Sequence, residues 1–403
     1  MKKKRRLYMT DYGLVPTRRI DQCAILCEDE RILSIGSRSA FVLEPKLEIF
    51  ELPNAYVTPG FVDTHIHGAG GFDSSSAFLP DASIELMSRI LVERGVTTFV
   101  PTVVSAPREE MLRNLSALAD MLDRPMAGAE AVGIHIEGPF LNLAKRGAQI
   151  EACLRPIDLG YARELLAAAR GKVKRMTFAP ELPGGVELTE LLCAEHVAPS
   201  MGHSLADEAA TLRAIDAGAC YCTHLFNGMP PLQQRTITLT SIALTDSRVT
   251  VEMIIDGRHI HPRMVDLACR CKPSDKVVGI SDATMAAGMA NGEYRLGPSL
   301  IKVEDGYSHT GDGLLAGTTT LLDTGWHSLM SYSHMSETYA ASAVSRNAAL
   351  SLGLTDRGEL LPGKLADLAF FEHGTNRPLL TVRRGEIVYK VEGAYRFQPA
   401  NPA

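Results

Sequence analysis

Between residues 55 and 282, short apolar runs alternate with stretches in which apolar residues recur every three or four positions. The runs at 61–67, 97–103, 131–137, 174–180, 198–203, 219–226, 249–256 and 276–282 have the length of strands. The stretches between them are amphipathic. Residues 81–94 carry Ile84, Met87, Ile90 and Leu91 at helical spacing, and 108–122, 159–169, 187–195, 207–217 and 261–271 read the same way. Strand–helix units repeated in this number predict an α/β fold, a (β/α)8 barrel of the TIM type. An open doubly wound sheet is the alternative, but no Gly-x-Gly-x-x-Gly follows the first strand, so its dinucleotide-binding version lacks support. The two ends read differently. Short alternating segments such as 22–28 and 31–35 come before the barrel, and 366–371 and 380–389 come after it. Neither end is long enough to bury a core alone. They are expected to form one small β-sandwich domain together, from residues 1–54 and 365–403, beside a barrel of residues 55–364.

Composition narrows the class without changing that picture. The chain has 403 residues, 45% hydrophobic and 22% charged, as in soluble globular proteins. A formal net charge of −6 argues against nucleic acid as a partner. The basic start, Met1-Lys2-Lys3-Lys4-Arg5-Arg6, precedes a segment too polar for a signal peptide and reads as a solvated leading end. No apolar run reaches membrane-spanning length, so a cytoplasmic protein without a membrane partner is expected. The 8 cysteines follow neither a disulfide framework nor a zinc-ribbon spacing and read as buried thiols.

The chemistry lies at the strand ends, where barrel enzymes place it. His65-Ile66-His67 closes the first strand, and residues two apart in a strand share a face, so the two imidazoles converge. By itself such a pair is also what two surface histidines would give. The third strand ends in Glu137, the fifth in His203, the sixth in His224 and the eighth in Asp282. Nitrogen and oxygen ligands without thiolate suit zinc, and also manganese, iron or cobalt. A carboxylate such as Glu137 can bridge two cations, so one or two divalent ions per subunit are expected, with zinc the first choice. His135 lies deeper on its strand and reads as a hydrogen-bonded core histidine.

The stretch Pro59-Gly60-Phe61-Val62-Asp63-Thr64-His65-Ile66-His67-Gly68 resembles the opening strand of the amidohydrolase superfamily. Within that superfamily, His135-Ile136-Glu137-Gly138-Pro139-Phe140, Gly202-His203-Ser204, Thr223-His224-Leu225-Phe226-Asn227-Gly228-Met229, Asp256-Gly257-Arg258-His259 and Ser281-Asp282-Ala283 are similar to the N-acetylglucosamine-6-phosphate deacetylase family. The likeness runs over nearly the whole chain and includes Pro362-Gly363-Lys364-Leu365-Ala366-Asp367-Leu368. It implies that Glu137, His203 and His224 hold a main metal, and that His65 and His67 hold a second with Glu137. It implies that Asp282 carries the proton, and that Asn227, Gly228 and His259 line a sugar-phosphate pocket. It implies a homodimer in which Arg235 reaches the neighbouring subunit's phosphate site. Two departures fall in loops that contact substrate. Gln149 stands where the family has a carbonyl-polarising His, and Thr236-Ile237-Thr238 follows Arg235 where Glu-Pro-Gly is common.

The expected reaction is metal-dependent hydrolysis of an N-acetyl amino-sugar phosphate, such as N-acetylglucosamine 6-phosphate, to the amino sugar phosphate and acetate. Gln149 would then offer the developing oxyanion a neutral hydrogen bond. Two alternatives stand beside it. One is another amidohydrolase, acting on a different N-acyl sugar, a cyclic amide or an amino-substituted ring. The other is a barrel that binds without catalysing, which the retention of all six metal-donor residues argues against.

Overall fold

The computed structural model of the chain describes residues 3–42 and 47–400. Its centre is a parallel barrel of the strands Phe61–Ile66, Val96–Val104, Ile134–Glu137, Val173–Phe178, Ala198–Met201, Tyr221–Cys222, Thr250–Ile254 and Val277–Ile280. They are hydrogen-bonded in that order. The third is broken in two, because Glu130–Ala131 also pairs with the second. No regular ladder joins the first and eighth strands among the described residues. Asp282 N–H donates to His65 O at 2.9 Å and Ser281 N–H donates to the Asp63 carboxylate at 3.3 Å, which closes the seam.

Helices pack around the outside through the faces that the periodicity predicts. Arg108–Leu122 buries Met111, Leu115, Leu118 and Ala119 and leaves its charged residues outward. Residues 223–238 after the sixth strand hold no helix, and the next helix, Leu239–Thr245, is buried almost throughout. The sixth strand is much shorter than the apolar run 219–226. His224 and Phe226 take φ of 32° and 77°, and a strand cannot continue through left-handed backbone.

The terminal segments form two sheets. One contains Arg5–Met9, Cys23–Glu28, Arg31–Ser37, Glu48–Glu51 and Arg396–Gln398. The other contains Tyr12–Val15, Arg18–Asp21, Ala55–Pro59, Leu368–Glu372, Pro378–Arg383 and Glu386–Lys390. Tyr8, Ile25, Phe50, Val57, Phe370 and Leu380 fill a shared core. The expected boundary at residue 54 needs moving, because Ala55–Pro59 pairs with Leu368–Glu372 and Tyr12–Val15 and not with a barrel strand. The basic start is not a free arm either. Met1 and Lys2 lie outside the described residues, but Lys3 pairs with Glu28 at 2.6 Å, and the nearly buried Arg6 pairs with Glu48 at 2.9 Å and Glu386 at 3.1 Å. A second departure lies after the eighth strand, where Gly292–Leu296, Ser299–Glu304 and Tyr307–Thr310 make a separate antiparallel sheet. All eight cysteines are unpaired thiols, and among the described residues no helix is long and apolar enough to cross a membrane.

Candidate metal centre

The five strand ends bring the six predicted donors together. His65, His67 and Asp282 form one group, and Glu137, His203 and His224 form another, all buried. In the first group His65 Nε2 lies 3.3 Å from His67 Nε2 and 3.3 Å from Asp282 Oδ1, while His67 Nε2 lies 3.0 Å from that oxygen. In the second, Glu137 Oε1 lies 3.2 Å from His203 Nε2 and 3.0 Å from His224 Nε2, and the two nitrogens are 3.0 Å apart. Glu137 stands between the groups, with Oε1 3.7 Å from His65 Nε2 and Oε2 3.6 Å from His67 Nε2.

These separations suit cations. Two ligand atoms of a tetrahedral ion, each about 2.0–2.1 Å from it, stand about 3.3 Å apart. The imidazoles are also turned the right way. His67 Nδ1 donates to Thr102 O at 3.2 Å and His203 Nδ1 donates to Lys145 O at 2.7 Å, which leaves the Nε2 lone pair of each facing the group. Without a charge between them, such lone pairs would repel at this distance. The carboxylates respond to the same crowding. Burial alone would raise Glu137, but His203, His224 and His65 hold it well below the usual carboxylate range. Burial likewise opposes ionisation of Asp282, and the imidazoles of His65 and His67 hold it low.

Backbone geometry serves the site. His203, His224 and Asp282 take φ of 48°, 32° and 50°, so each is at a point where its strand turns out of extended conformation. The His203 ring packs beside Gly228, where a Cβ would lie 3.0 Å from its Nδ1, at a φ of 62° that glycine adopts without strain. His135 is fully buried and bonds Thr102 and Thr177 at 3.3 and 2.8 Å, with its ring packed edge-on against that of His65, 4.6 Å between centres.

A cavity of about 170 Å³ opens above the donors, lined by Asn227, Gly228 and His259 among others. His259 is aimed by Asp256, whose Oδ2 accepts from its Nδ1 at 2.8 Å. Leu296, Leu314 and Leu315 wall the same cavity, so the separate antiparallel sheet and the loop after it belong to the site. Arg235 does not reach this cavity. It is exposed on the loop 231–237 and makes no hydrogen bond or ion pair among the described residues. Gln149 is buried, at 4% exposure, and its amide is already engaged. Its Oε1 accepts from Ser105 N at 2.9 Å and from Ser105 Oγ, and its Nε2 donates to Glu137 Oε2 at 3.1 Å and Glu137 O at 3.3 Å. The expectation that it points a free donor at an oxyanion is therefore corrected: its donors face Glu137. Residues 56–391 match the amidohydrolase family model.

The chain belongs to the amidohydrolase family.

Proteins similar to it include sugar-phosphate deacetylases. The chain is 34% identical to an N-acetylglucosamine-6-phosphate deacetylase of Bacillus subtilis, over 86% of this chain and 88% of the relative. It is 29% identical to an N-acetylgalactosamine-6-phosphate deacetylase of Escherichia coli, over 86% of this chain and 92% of the relative. The crystal structure of the N-acetyl-D-glucosamine-6-phosphate deacetylase of Mycobacterium smegmatis superposes with a TM-score of 0.88 at 33% identity, over 95% of this chain and 100% of that one. This family member is thus a metal-dependent hydrolase of carbon–nitrogen bonds.

Sequence reasoning missed several residues of the site. Ser105 bonds Gln149 and Asp256 bonds His259, and behind the donors lie the buried charges of Arg175 and Glu252. Glu252 carried a signal, since it is the lone charge in the strand Thr250–Ile254, and a buried charge needs a partner.

Proposed function

We propose that the chain removes the acetyl group from an N-acetyl hexosamine 6-phosphate. The observation that carries this reading is the pair of donor groups joined by Glu137 under a cavity lined by Asn227, Gly228 and His259, in a chain similar to such deacetylases over most of its length. Glu137, His203 and His224 would hold one divalent cation, and His65 and His67, with Glu137 and Asp282, a second. Zinc fits an all-nitrogen-and-oxygen donor set. When bound, the cation polarises the amide carbonyl and lowers the pKa of the attacking water from about 15.7 towards about 7.

The protein's own groups do the rest. The Asp282 carboxylate accepts a proton from the attacking water and delivers it to the amine nitrogen as the C–N bond breaks. That transfer matters because an unprotonated amine leaves poorly. Asn227, Gly228 and His259 orient the sugar phosphate, with His259 fixed by Asp256. Gln149 would hold the Glu137 carboxylate between the two donor groups. Arg235, exposed on its own subunit, suits the phosphate of a substrate bound to a second copy, since a guanidinium matches phosphate in charge and geometry. A cytoplasmic homodimer acting on a small molecule is part of the same reading.

The relative from Escherichia coli supports a second reading, in which the galactose epimer is the substrate. Steady-state rates for N-acetylglucosamine 6-phosphate and N-acetylgalactosamine 6-phosphate, measured on zinc-loaded protein beside hydantoin and purine controls, decide among these. Turnover of either sugar phosphate supports the proposal, and its ratio assigns the epimer. Turnover of a control substrate alone overturns it.

A further inference from the structure

Two of the metal-facing imidazoles are oriented by backbone carbonyls, as described for His67 and His203. His65 has no such carbonyl. Its Nδ1 is buried and makes no hydrogen bond, and it lies 3.7 Å from Glu252 Oε2, which is also buried and makes none. Glu252 is on the seventh barrel strand and fully buried. Its other oxygen is tightly held. Oε1 accepts from Thr64 Oγ1 at 2.7 Å and pairs with the guanidinium of Arg175, which is 1% exposed on the fourth strand. Arg175 is itself fixed, since Nη2 donates to Ser351 Oγ at 3.1 Å and the guanidinium lies 4.3 Å from the centre of the Tyr221 ring. A chain of polar groups therefore crosses the barrel interior from Ser351 to His65.

We infer that Glu252 is a positioning residue for His65. Its free oxygen faces Nδ1, selects the tautomer with the proton there, and so presents the Nε2 lone pair to the cation held with His67 and Asp282. Arg175 and Thr64 keep that oxygen aimed. Stability alone does not explain the arrangement. Two charges buried on facing strands gain little over an apolar pair of the same volume, because desolvation offsets their attraction. A carboxylate behind a metal-ligating histidine has a known effect, in that it fixes ring orientation and raises ligand basicity. The inference rests on the metal-binding reading above.

Replacing Glu252 alone would strand the Arg175 guanidinium, so the decisive protein is the double variant Arg175→Met/Glu252→Leu, which removes both charges and keeps the volume. Two measurements are made on wild type, the double variant and His65→Ala, with folding checked by thermal unfolding. One is zinc stoichiometry and affinity by titration and elemental analysis. The other is the imidazole nitrogen spectrum of the zinc-free, histidine-labelled proteins. The expected result is a loss of about 10–100-fold in affinity for one zinc per subunit in the double variant, with the other zinc retained. The His65 resonance, assigned as the one missing from His65→Ala, should shift from the Nδ1–H form to a mixture of tautomers. Thr64→Val, which keeps both charges, should show the same changes more weakly. Unchanged affinity and an unchanged His65 tautomer in a folded double variant would overturn the inference. If wild type and His65→Ala hold the same number of zinc ions with the same affinity, His65 is not a ligand and the inference also fails. A wild type that takes up no zinc, manganese, iron or cobalt overturns the metal reading itself, which is a separate result.

Discussion

Asp282→Asn isolates the proton-transfer step. Asp282 is at φ 50°, a left-handed conformation that Asn also tolerates, so the backbone can stay as it is. The bonds from Asp282 N–H to His65 O at 2.9 Å and from Thr318 N–H to Asp282 O at 2.8 Å do not involve the side chain. The substitution therefore changes a buried carboxylate, 3.0 Å from His67 Nε2, into an amide of the same shape that cannot carry the proton. General acid–base groups contribute about 10²–10⁴-fold, so kcat should fall by that factor, or about 2.7–5.4 kcal/mol in the barrier. The groups that orient the sugar phosphate are untouched, and KM should change little. Acetate release and free amine are followed together, with metal content measured on the same preparation. A parallel fall in kcat and metal would mean that Asp282 acts chiefly as a ligand. A kcat within about tenfold of wild type at full metal content would refute the proton-carrier role.

Gln149→His should lower kcat for both epimers by similar factors, because both donors of the Gln149 amide are engaged by Glu137 although the residue lines the cavity; a changed epimer ratio in kcat/KM at constant metal content would show instead that it reads the sugar. Arg235→Ala should raise KM for phosphorylated substrates with little change in kcat, and sedimentation should show a dimer; an active monomer with unchanged KM contradicts the shared site. Gly68→Ala should destabilise the fold by about 1–3 kcal/mol, as overpacking does, since its Cβ would lie 2.1 Å from Phe72 O and 2.8 Å from Met285 N; denaturant unfolding tests this. Asp367 supplies a pH test of stability. Burial pushes its carboxyl from 3.8 up to about 6, so the native state binds its proton more tightly than the unfolded chain does. Its contribution is therefore full below about pH 4 and is lost as pH rises to about 6, a change on the order of 3 kcal/mol. Asp367→Asn should match wild type near pH 4 and be more stable at pH 8; an equal difference at both pH values would contradict the shift.

The helices were the most legible part of the fold, because periodicity is local: 108–122 is found where its apolar spacing puts it. The strands were legible as runs but not at their ends. Apolar character continues through 219–226 while the backbone turns at His224, and no hydrophobicity pattern encodes φ. The sheet at 292–310 has a visible signal in Ile301-Lys302-Val303-Glu304, which alternates apolar and charged residues with period two. The metal donors were legible because barrel topology gathers strand ends, so a donor type at each end is informative without any knowledge of distances. The residues that aim those donors were not. Glu252 meets Thr64 from 188 positions away and Arg175 from 77, and no local pattern reports such pairings.

The division of labour between the outside and the inside of the barrel explains why the interior can be so polar. Much of the apolar burial lies between the strands and the surrounding helices, where Phe61, Met111, Leu188, Val265 and Trp326 belong to one continuous core. Inside, Thr177 and Ser200 both bond Thr223, at 2.7 and 2.6 Å, and Thr177 also bonds His135, in place of the apolar layers that would pack more simply. Such a network stabilises little in net terms, yet once every member is paired it resists rearrangement, because any shift leaves a buried polar group without a partner. That resistance is what a site with donor atoms 3.0–3.3 Å apart requires, since imidazoles free to rotate would move apart in the absence of a cation. The core outside the strands thus supplies much of the apolar burial, while the hydroxyl network inside reaches the donors through His135, which packs on His65.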